Sequence, residues 1–130
     1  MAHPVSTLLA RSLAQQLQRN AAAVAAIESR SGDLVQLERL VAALRARGWK
    51  AEPYVNTTPS GELAVCELAL LLSCSEPELC DVLEYLTADG VGVARDLRGD
   101  IGCSRRYKLR LNTFALYLNA YVHTPAKVAA

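Results

Sequence analysis

The stretch that decides the fold in this sequence runs from Glu67 to Val91 and reads ELALLLSCSEPELCDVLEYLTADGV. Its second half begins as a helix should, because Ser75 offers a hydroxyl N-cap, Pro77 fits the first turn, and acids in that turn suit the helix dipole. Gly90 is a common helix stop. The sequence therefore predicts a helix from Ser75 to Gly90, whose apolar residues recur at helical spacing at Leu79, Val82, Leu83 and Leu86.

The residues before this helix predict an extended segment followed by a short buried helix. Trp49 to Gly61 contains Pro53 and Pro59, which exclude a helix and favour an extended piece with a turn. From Glu62 to Leu72 the chain is apolar nearly all round, as in a short helix packed on more than one side. Ser73 to Ser75 then forms a tight break.

Two further helices are predicted towards the N-terminus. From Asp33, an N-cap, to Gly48 the apolar residues describe a regular helical stripe. Between Pro4 and Ser29 they recur at a similar spacing, which indicates one long amphipathic helix.

On the C-terminal side we expect a hairpin and a last helix. Val91 to Leu97 and Cys103 to Leu111 flank a turn-rich loop, which is typical of two connected strands. Within the second strand Tyr107, Leu109 and Leu111 alternate with Arg106, Lys108 and Arg110, so these three cations should share the solvent face. A short helix is predicted from Asn112 or Thr113 to Tyr121.

This order of helix, extended piece, helix, tight turn, helix and hairpin resembles the winged helix-turn-helix superfamily, over about residues 33–111. The resemblance implies a mainly α fold with a small β-hairpin (α+β), with flanking N- and C-terminal helices. The length of 130 residues predicts a single domain over 1–130. The resemblance divides it into an N-terminal helix within 1–31, the core at 33–111, and a C-terminal helix and tail at 112–130. In that superfamily the third helix enters the major groove of DNA and the hairpin forms the wing.

Charge is divided unevenly between the predicted third helix and the wing. The helix carries five carboxylates and no Lys or Arg, so docking it against phosphates would place like charges together. The wing is basic, which predicts a transcriptional regulator that contacts the backbone of double-stranded DNA through the wing. Its candidate residues are Arg95, Arg98, Arg105, Arg106, Lys108 and Arg110.

A protein partner is the alternative. An acidic helix and a basic wing are complementary surfaces that suit an adaptor, an inhibitor or an assembly subunit. The candidate residues for that contact are Glu76, Glu78, Asp81 and Glu84.

The terminal helices carry more apolar surface than a winged core needs, which predicts a homodimer. Packing of both helices on their own core is the competing hypothesis. The candidate interface residues are Leu9, Leu13, Leu17, Phe114, Tyr117 and Tyr121.

Composition and motifs set limits on other functions. The 52% hydrophobic and 21% charged residues predict a folded chain, and the net charge of +1 excludes a general basic field. Charged residues interrupt every long apolar run, so we expect a cytoplasmic protein with no membrane span, although the acid-free first 27 residues share a bias with transit peptides. Without a catalytic or nucleotide motif we expect no enzyme, metal or cofactor. A zinc or iron–sulfur site at Cys74, Cys80 and Cys103 is the alternative to reduced thiols.

Overall fold

A computed structural model describes residues 7–123 of the chain, which form three helices and five strands. The helices are α1 (Thr7–Glu28), α2 (Ser31–Ala46) and α3 (Glu76–Ala88). The strands are β1 (Lys50–Ser60), β2 (Leu63–Cys74), β3 (Gly92–Ile101), β4 (Ser104–Arg110) and β5 (Ala115–Val122).

The strands form one mixed sheet in the order β1-β2-β5-β4-β3. Strand β5 lies at the centre, parallel to β2 and antiparallel to β4, which in turn pairs antiparallel with β3. The predicted mainly α winged-helix fold with a small hairpin is therefore wrong, because this protein is α+β with a five-stranded sheet.

Two predicted helices are strands. The apolar run expected as a helix over Glu62 to Leu72 is β2, and the expected last helix up to Tyr121 is β5. Both are inner strands of the sheet, and inner strands tolerate continuous apolar sequence. In each case pairing with neighbouring strands overrides the local helical pattern.

Helix α3 forms between its predicted end signals, whereas α2 begins at Ser31, so that Asp33 lies in its first turn and is not its N-cap. In α3 the Ser75 hydroxyl accepts the Glu78 backbone N–H at 3.3 Å, and the Glu78 carboxylate accepts the Ser75 backbone N–H at 3.1 Å, which completes a capping box. Both helices are followed, two residues after they end, by a glycine with positive φ: Gly48 after α2 and Gly90 after α3. The extended segment and the hairpin also form, as β1 and the β3–β4 pair.

The chain divides into two compact units. The first contains the described residues up to 31 together with 56–67, and the second contains 32–55 and the described residues from 68 onward. In the first unit, the Arg30 guanidinium donates a hydrogen bond to the Cys66 carbonyl at 3.0 Å. Helix α1 buries Ala26 but leaves most of its apolar side chains exposed.

The second unit has one helical layer and one sheet layer. Helix α2 buries a stripe that includes Leu37 and Leu44, and α3 buries one that includes Leu79 and Leu86. Alternate residues of the inner strands, such as Leu118 of β5, supply the other side of this core. The opposite face of the sheet, here called the open face, carries mostly half-buried and exposed side chains. No described helix is long and apolar enough to cross a membrane.

Candidate functional site

Strand β4 sends its side chains alternately to the core and to the open face. Tyr107 and Leu109 are buried, and the side chains between them point the other way. The predicted separation of apolar and cationic residues along this strand is confirmed. The open face therefore carries a line of three cations, here called the cation row: Arg106, Lys108 and Arg110.

Small residues lie beside Lys108 and Arg110, the two cations of the row farthest from Ser104. Arg110 is paired with Gly92 on β3 and Ala115 on β5, and Lys108 is paired with Ala94 on β3. Lys108 and Arg110 are exposed, and neither has an ion-pair partner within residues 7–123. Their charges can therefore reach an anion that approaches the open face.

Arg106 is held more tightly than the rest of the row. Its guanidinium carbon lies 3.6 Å from the centre of the Tyr117 ring, in a cation–π contact. Its Nε lies 3.9 Å from a carboxylate oxygen of Asp96, too far for a hydrogen bond, and is buried without a hydrogen-bond partner in the described residues. Arg106 thus contributes charge to the open face, while its Nε is buried and not accessible to a ligand.

Arg105 lies on the other side of β4 and is paired with α3. Its two terminal nitrogens each donate to a carboxylate oxygen of Glu76 at 2.6 Å. This hydrogen bond lowers the pKa of Glu76 and raises the pKa of Arg105. Arg105 is therefore neutralised within the chain.

Arg95 is also paired within the chain. Its guanidinium donates hydrogen bonds to the Asp100 carboxylate and to the Tyr107 hydroxyl. The Asp100 carboxylate also accepts the Arg106 backbone N–H at 3.0 Å, and these bonds lower the pKa of Asp100. Arg98 is exposed near the end of the hairpin, apart from the cation row. The six predicted DNA-contacting cations therefore do not form one surface.

A groove of about 690 Å³ lies at one end of the sheet, where it is lined by open-face residues next to the cation row and by the end of α2. It crosses four strands, from β1 through β2 and β5 to β4. The groove and the cation row are adjacent, because Asn119 in the groove is paired with Arg106. Its lining includes Lys50, Glu52, Leu71, Ser73, Ser104, Asn119 and Tyr121.

The end of α2 forms one side of this groove. The Arg45 side chain donates a 2.7 Å hydrogen bond to the Ala51 carbonyl, which ties α2 to β1. Trp49 packs edge-on against Tyr85 of α3, with 5.7 Å between ring centres, and the Arg47 guanidinium lies 4.1 Å from the centre of the Tyr85 ring. This side of the groove is therefore fixed by contacts to both helices of the second unit.

The acidic residues proposed as a partner surface lie on α3, in the layer opposite the open face. Glu76 is paired with Arg105, and Glu78 belongs to the capping box. Asp81 and Glu84 are exposed and have no ion-pair partner within the described part of the chain. Acids of α3 and the cation row therefore face different sides of the second unit.

The predicted dimer residues do not lie on two terminal helices. Leu9, Leu13 and Leu17 are exposed on α1. Phe114 precedes β5, and Tyr117 and Tyr121 lie on β5, so the C-terminal half of the prediction is wrong in its structural basis. Both tyrosines belong to the open face.

The cysteines do not gather into a metal site. Among residues 7–123 no three His, Cys, Asp or Glu side chains are placed to share a metal ion. Cys66 and Cys74 are buried and Cys80 and Cys103 are exposed, all as free thiols. Burial is the main cause that raises the pKa of Cys74 to about 11.

Sequence reasoning missed the residues that β5 and β2 contribute to the groove. Along β5 the buried residues Leu116 and Leu118 alternate with Tyr117 and Asn119, and this period-2 pattern was available in the sequence. The Leu71 contribution carried no such signal, because β2 is apolar on both faces. Recognising β5 as a strand would have placed its polar residues on a shared surface with the cation row.

Comparisons with known protein families, with curated protein sequences and with solved structures found no match.

Proposed function

We propose that this protein binds nucleic acid through the open face of its sheet. One observation carries the proposal: Arg106, Lys108 and Arg110 lie in a row on a sheet face that the helices of the second unit leave uncovered. Cations at regular spacing on an accessible surface neutralise phosphates and release condensed counterions, which supplies most non-specific affinity for nucleic acids.

The placement of the acids supports this mode of binding. Helix α3 carries four carboxylates and no Lys or Arg, so it cannot sit against phosphates without like-charge repulsion. Because α3 packs on the other side of the sheet, an anionic ligand on the open face would not meet Asp81 or Glu84. Acids on the open face include Asp96, which is paired with Arg106, and Glu52, which lines the groove.

This proposal keeps three of the six cations predicted for the wing, those of the cation row, and leaves out the other three. Arg95 and Arg105 are paired with Asp100 and Glu76, so a ligand would have to break those ion pairs to use them. A contact made by the cation row alone engages about three phosphates. The expected log–log slope of affinity against salt is then roughly −2 to −3.

The test is binding of fluorescently labelled DNA, single-stranded and duplex, measured by anisotropy over a range of salt concentrations. The informative variant carries Lys108→Thr with Arg110→Thr, since threonine preserves strand propensity at these exposed positions. It should weaken binding at low salt and flatten the slope by roughly 1.5 units. Arg106 is left intact because it contacts Tyr117 and is needed for packing.

The matched control is Arg39→Ala, which removes an exposed cation from α2 in the helical layer. It should leave the slope unchanged. The proposal is overturned if the wild-type protein shows no salt-dependent binding at low salt, or if the double variant binds as the wild type does while circular dichroism shows both to be folded.

A protein partner on α3 is the second candidate. Asp81 and Glu84 are exposed on α3 without an ion pair in the described residues, whereas Glu76 and Glu78 are already engaged. A basic partner would therefore contact the middle of α3 rather than its first turn. Its test is titration with a Lys-rich peptide. Asp81→Asn with Glu84→Gln should abolish any binding observed, and retained binding would exclude this surface.

A further inference from the structure

The groove beside the cation row has an apolar floor. Leu71 of β2 and Tyr121 of β5 line it with 36% and 55% of their surfaces exposed. Leu71 is paired with Asn119, so the leucine and the tyrosine are diagonal neighbours across two strands. Large apolar side chains grouped in a concavity mark a binding surface more often than scattered ones do.

Polar groups border this floor. The Asn119 side-chain amide is half-buried and makes no hydrogen bond within residues 7–123. The Ser73 and Ser104 residues line the groove on either side of β5. An amide with donors and an acceptor beside an apolar floor suits a flat heterocycle that carries hydrogen-bonding groups on its edge.

The position of the groove links such a heterocycle to an anionic chain. Ser104, which lines the groove, is two residues before Arg106 on β4, so the groove lies next to the Arg106 end of the cation row. Residues of one face follow each other about 6.8 Å apart along a strand, which lets successive cations contact successive phosphates. A ligand that fits both features has an anionic backbone with exposed bases.

We propose that the open face binds single-stranded nucleic acid, with phosphates along the cation row and one unstacked base in the groove against Tyr121 and Leu71. This inference rests on the proposed function and specifies its ligand. In a duplex the bases are stacked and paired, so only a single strand can place a base face on an aromatic side chain.

The experiment compares three labelled probes of equal length: a mixed-sequence DNA strand, the same strand annealed to its complement, and an abasic strand. The wild-type protein should bind the single strand best. Tyr121→Ser should weaken that binding roughly tenfold to a hundredfold, because one stacking contact is lost. Its salt slope should stay unchanged, and its affinity for the duplex and the abasic strand should not move.

Tyr54→Ser is the matched control. Tyr54 is an exposed tyrosine of β1 outside the groove lining, so its loss should leave all three affinities near the wild-type values. Equal or tighter binding of the duplex, or equal effects of the two tyrosine variants, would overturn the single-strand inference while the proposed function survives. Absence of salt-dependent binding to every probe would instead remove the proposed function itself.

Discussion

Gly99 lies so close to Arg106 that a β-carbon built on Gly99 would stand 2.1 Å from Cδ of Arg106 and 2.8 Å from its Cβ. Such distances are well inside van der Waals contact. The contact occurs where the β3–β4 register shifts between Asp96 and Ile101. Gly99 therefore leaves room for the aliphatic part of the Arg106 side chain, whose guanidinium stacks on the Tyr117 ring.

This contact predicts that Gly99→Ala destabilises the second unit. The new methyl group cannot be relieved by moving only the tip of Arg106, because its Cβ is also too near. We expect the free energy of unfolding to fall by about 1–3 kcal/mol, as for overpacked sites, in a urea titration. Affinity for nucleic acid should also fall, since Arg106 would leave Tyr117.

Gly32→Ala is the matched control and should not lower stability. Gly32 lies in the first turn of α2, where an added β-carbon meets nothing within 4 Å. Alanine there should leave stability unchanged or raise it by about 0.5–1 kcal/mol. A Gly99→Ala protein as stable as the wild type would show that the hairpin does not press on Arg106 in solution.

The capping box of α3 predicts a pH-dependent loss of stability. Hydrogen bonds from the Ser75 backbone and hydroxyl lower the pKa of Glu78 below its ordinary value of 4.5. Because the folded state keeps Glu78 ionised where the unfolded state takes up a proton, this stabilisation is complete above the ordinary pKa. It is lost as the pH falls through the lowered pKa.

Ser75→Ala should therefore lower the free energy of unfolding by about 1 kcal/mol near neutral pH. The difference between variant and wild type should narrow in part as the pH falls below about 4, because the bond that the Ser75 hydroxyl donates to the Glu78 carboxylate is lost in the wild type on protonation and is already absent in the variant. Ser73→Ala, an exposed serine on β2, should stay within about 0.5 kcal/mol of the wild type. If the difference in free energy of unfolding between Ser75→Ala and the wild type does not change with pH, the hydrogen bond from the Ser75 hydroxyl to the Glu78 carboxylate does not contribute to stability.

Thiol accessibility gives an independent check of the sheet. Cys80 and Cys103 are exposed, whereas Cys66 and Cys74 are buried on β2. In a native protein an aromatic disulfide reagent should modify two thiols quickly, and in denaturant it should modify four. Cys74 should be the slowest, because a pKa of about 11 leaves almost no thiolate near pH 8. The helix predicted over Glu62 to Leu72 would not have explained this order of thiol reactivity.

Local signals predicted what local interactions decide. Ser75, Pro77 and Gly90 mark the ends of α3 by hydrogen bonds within the helix itself, so the sequence alone located that helix. The alternation along β4 likewise predicted which cations share a face, because one strand period is enough to decide it.

The partners of those cations could not be read from local sequence. Arg105 meets Glu76 across 29 positions, and β2 pairs with β5 across a gap that spans α3, β3 and β4. Such pairings depend on the strand order, which no local pattern supplies. The apolar sequence of β2 fits a helix and an inner strand equally well. Because a helix was predicted there, the five-stranded sheet was not predicted, nor were its open face and the groove.

Helix α1 supplies the last prediction, which concerns self-association. Leu13 and Leu17 are 56% and 69% exposed on a helix of 22 residues. A helix of that length is about 33 Å long. Leucines one turn apart on it form an apolar stripe that a second copy can cover with its own.

We therefore expect a dimer that dissociates when the stripe gains a charge. Leu13→Glu should shift the mass measured by light scattering after gel filtration from two chains to one, because the unpaired carboxylate would be buried in the interface. Gln15→Glu adds the same charge at a position about 160° or more around the helix from both leucines, so it should leave the dimer intact. A wild-type protein that is monomeric at high concentration, or a dimer insensitive to Leu13→Glu, would place the contact elsewhere or remove it.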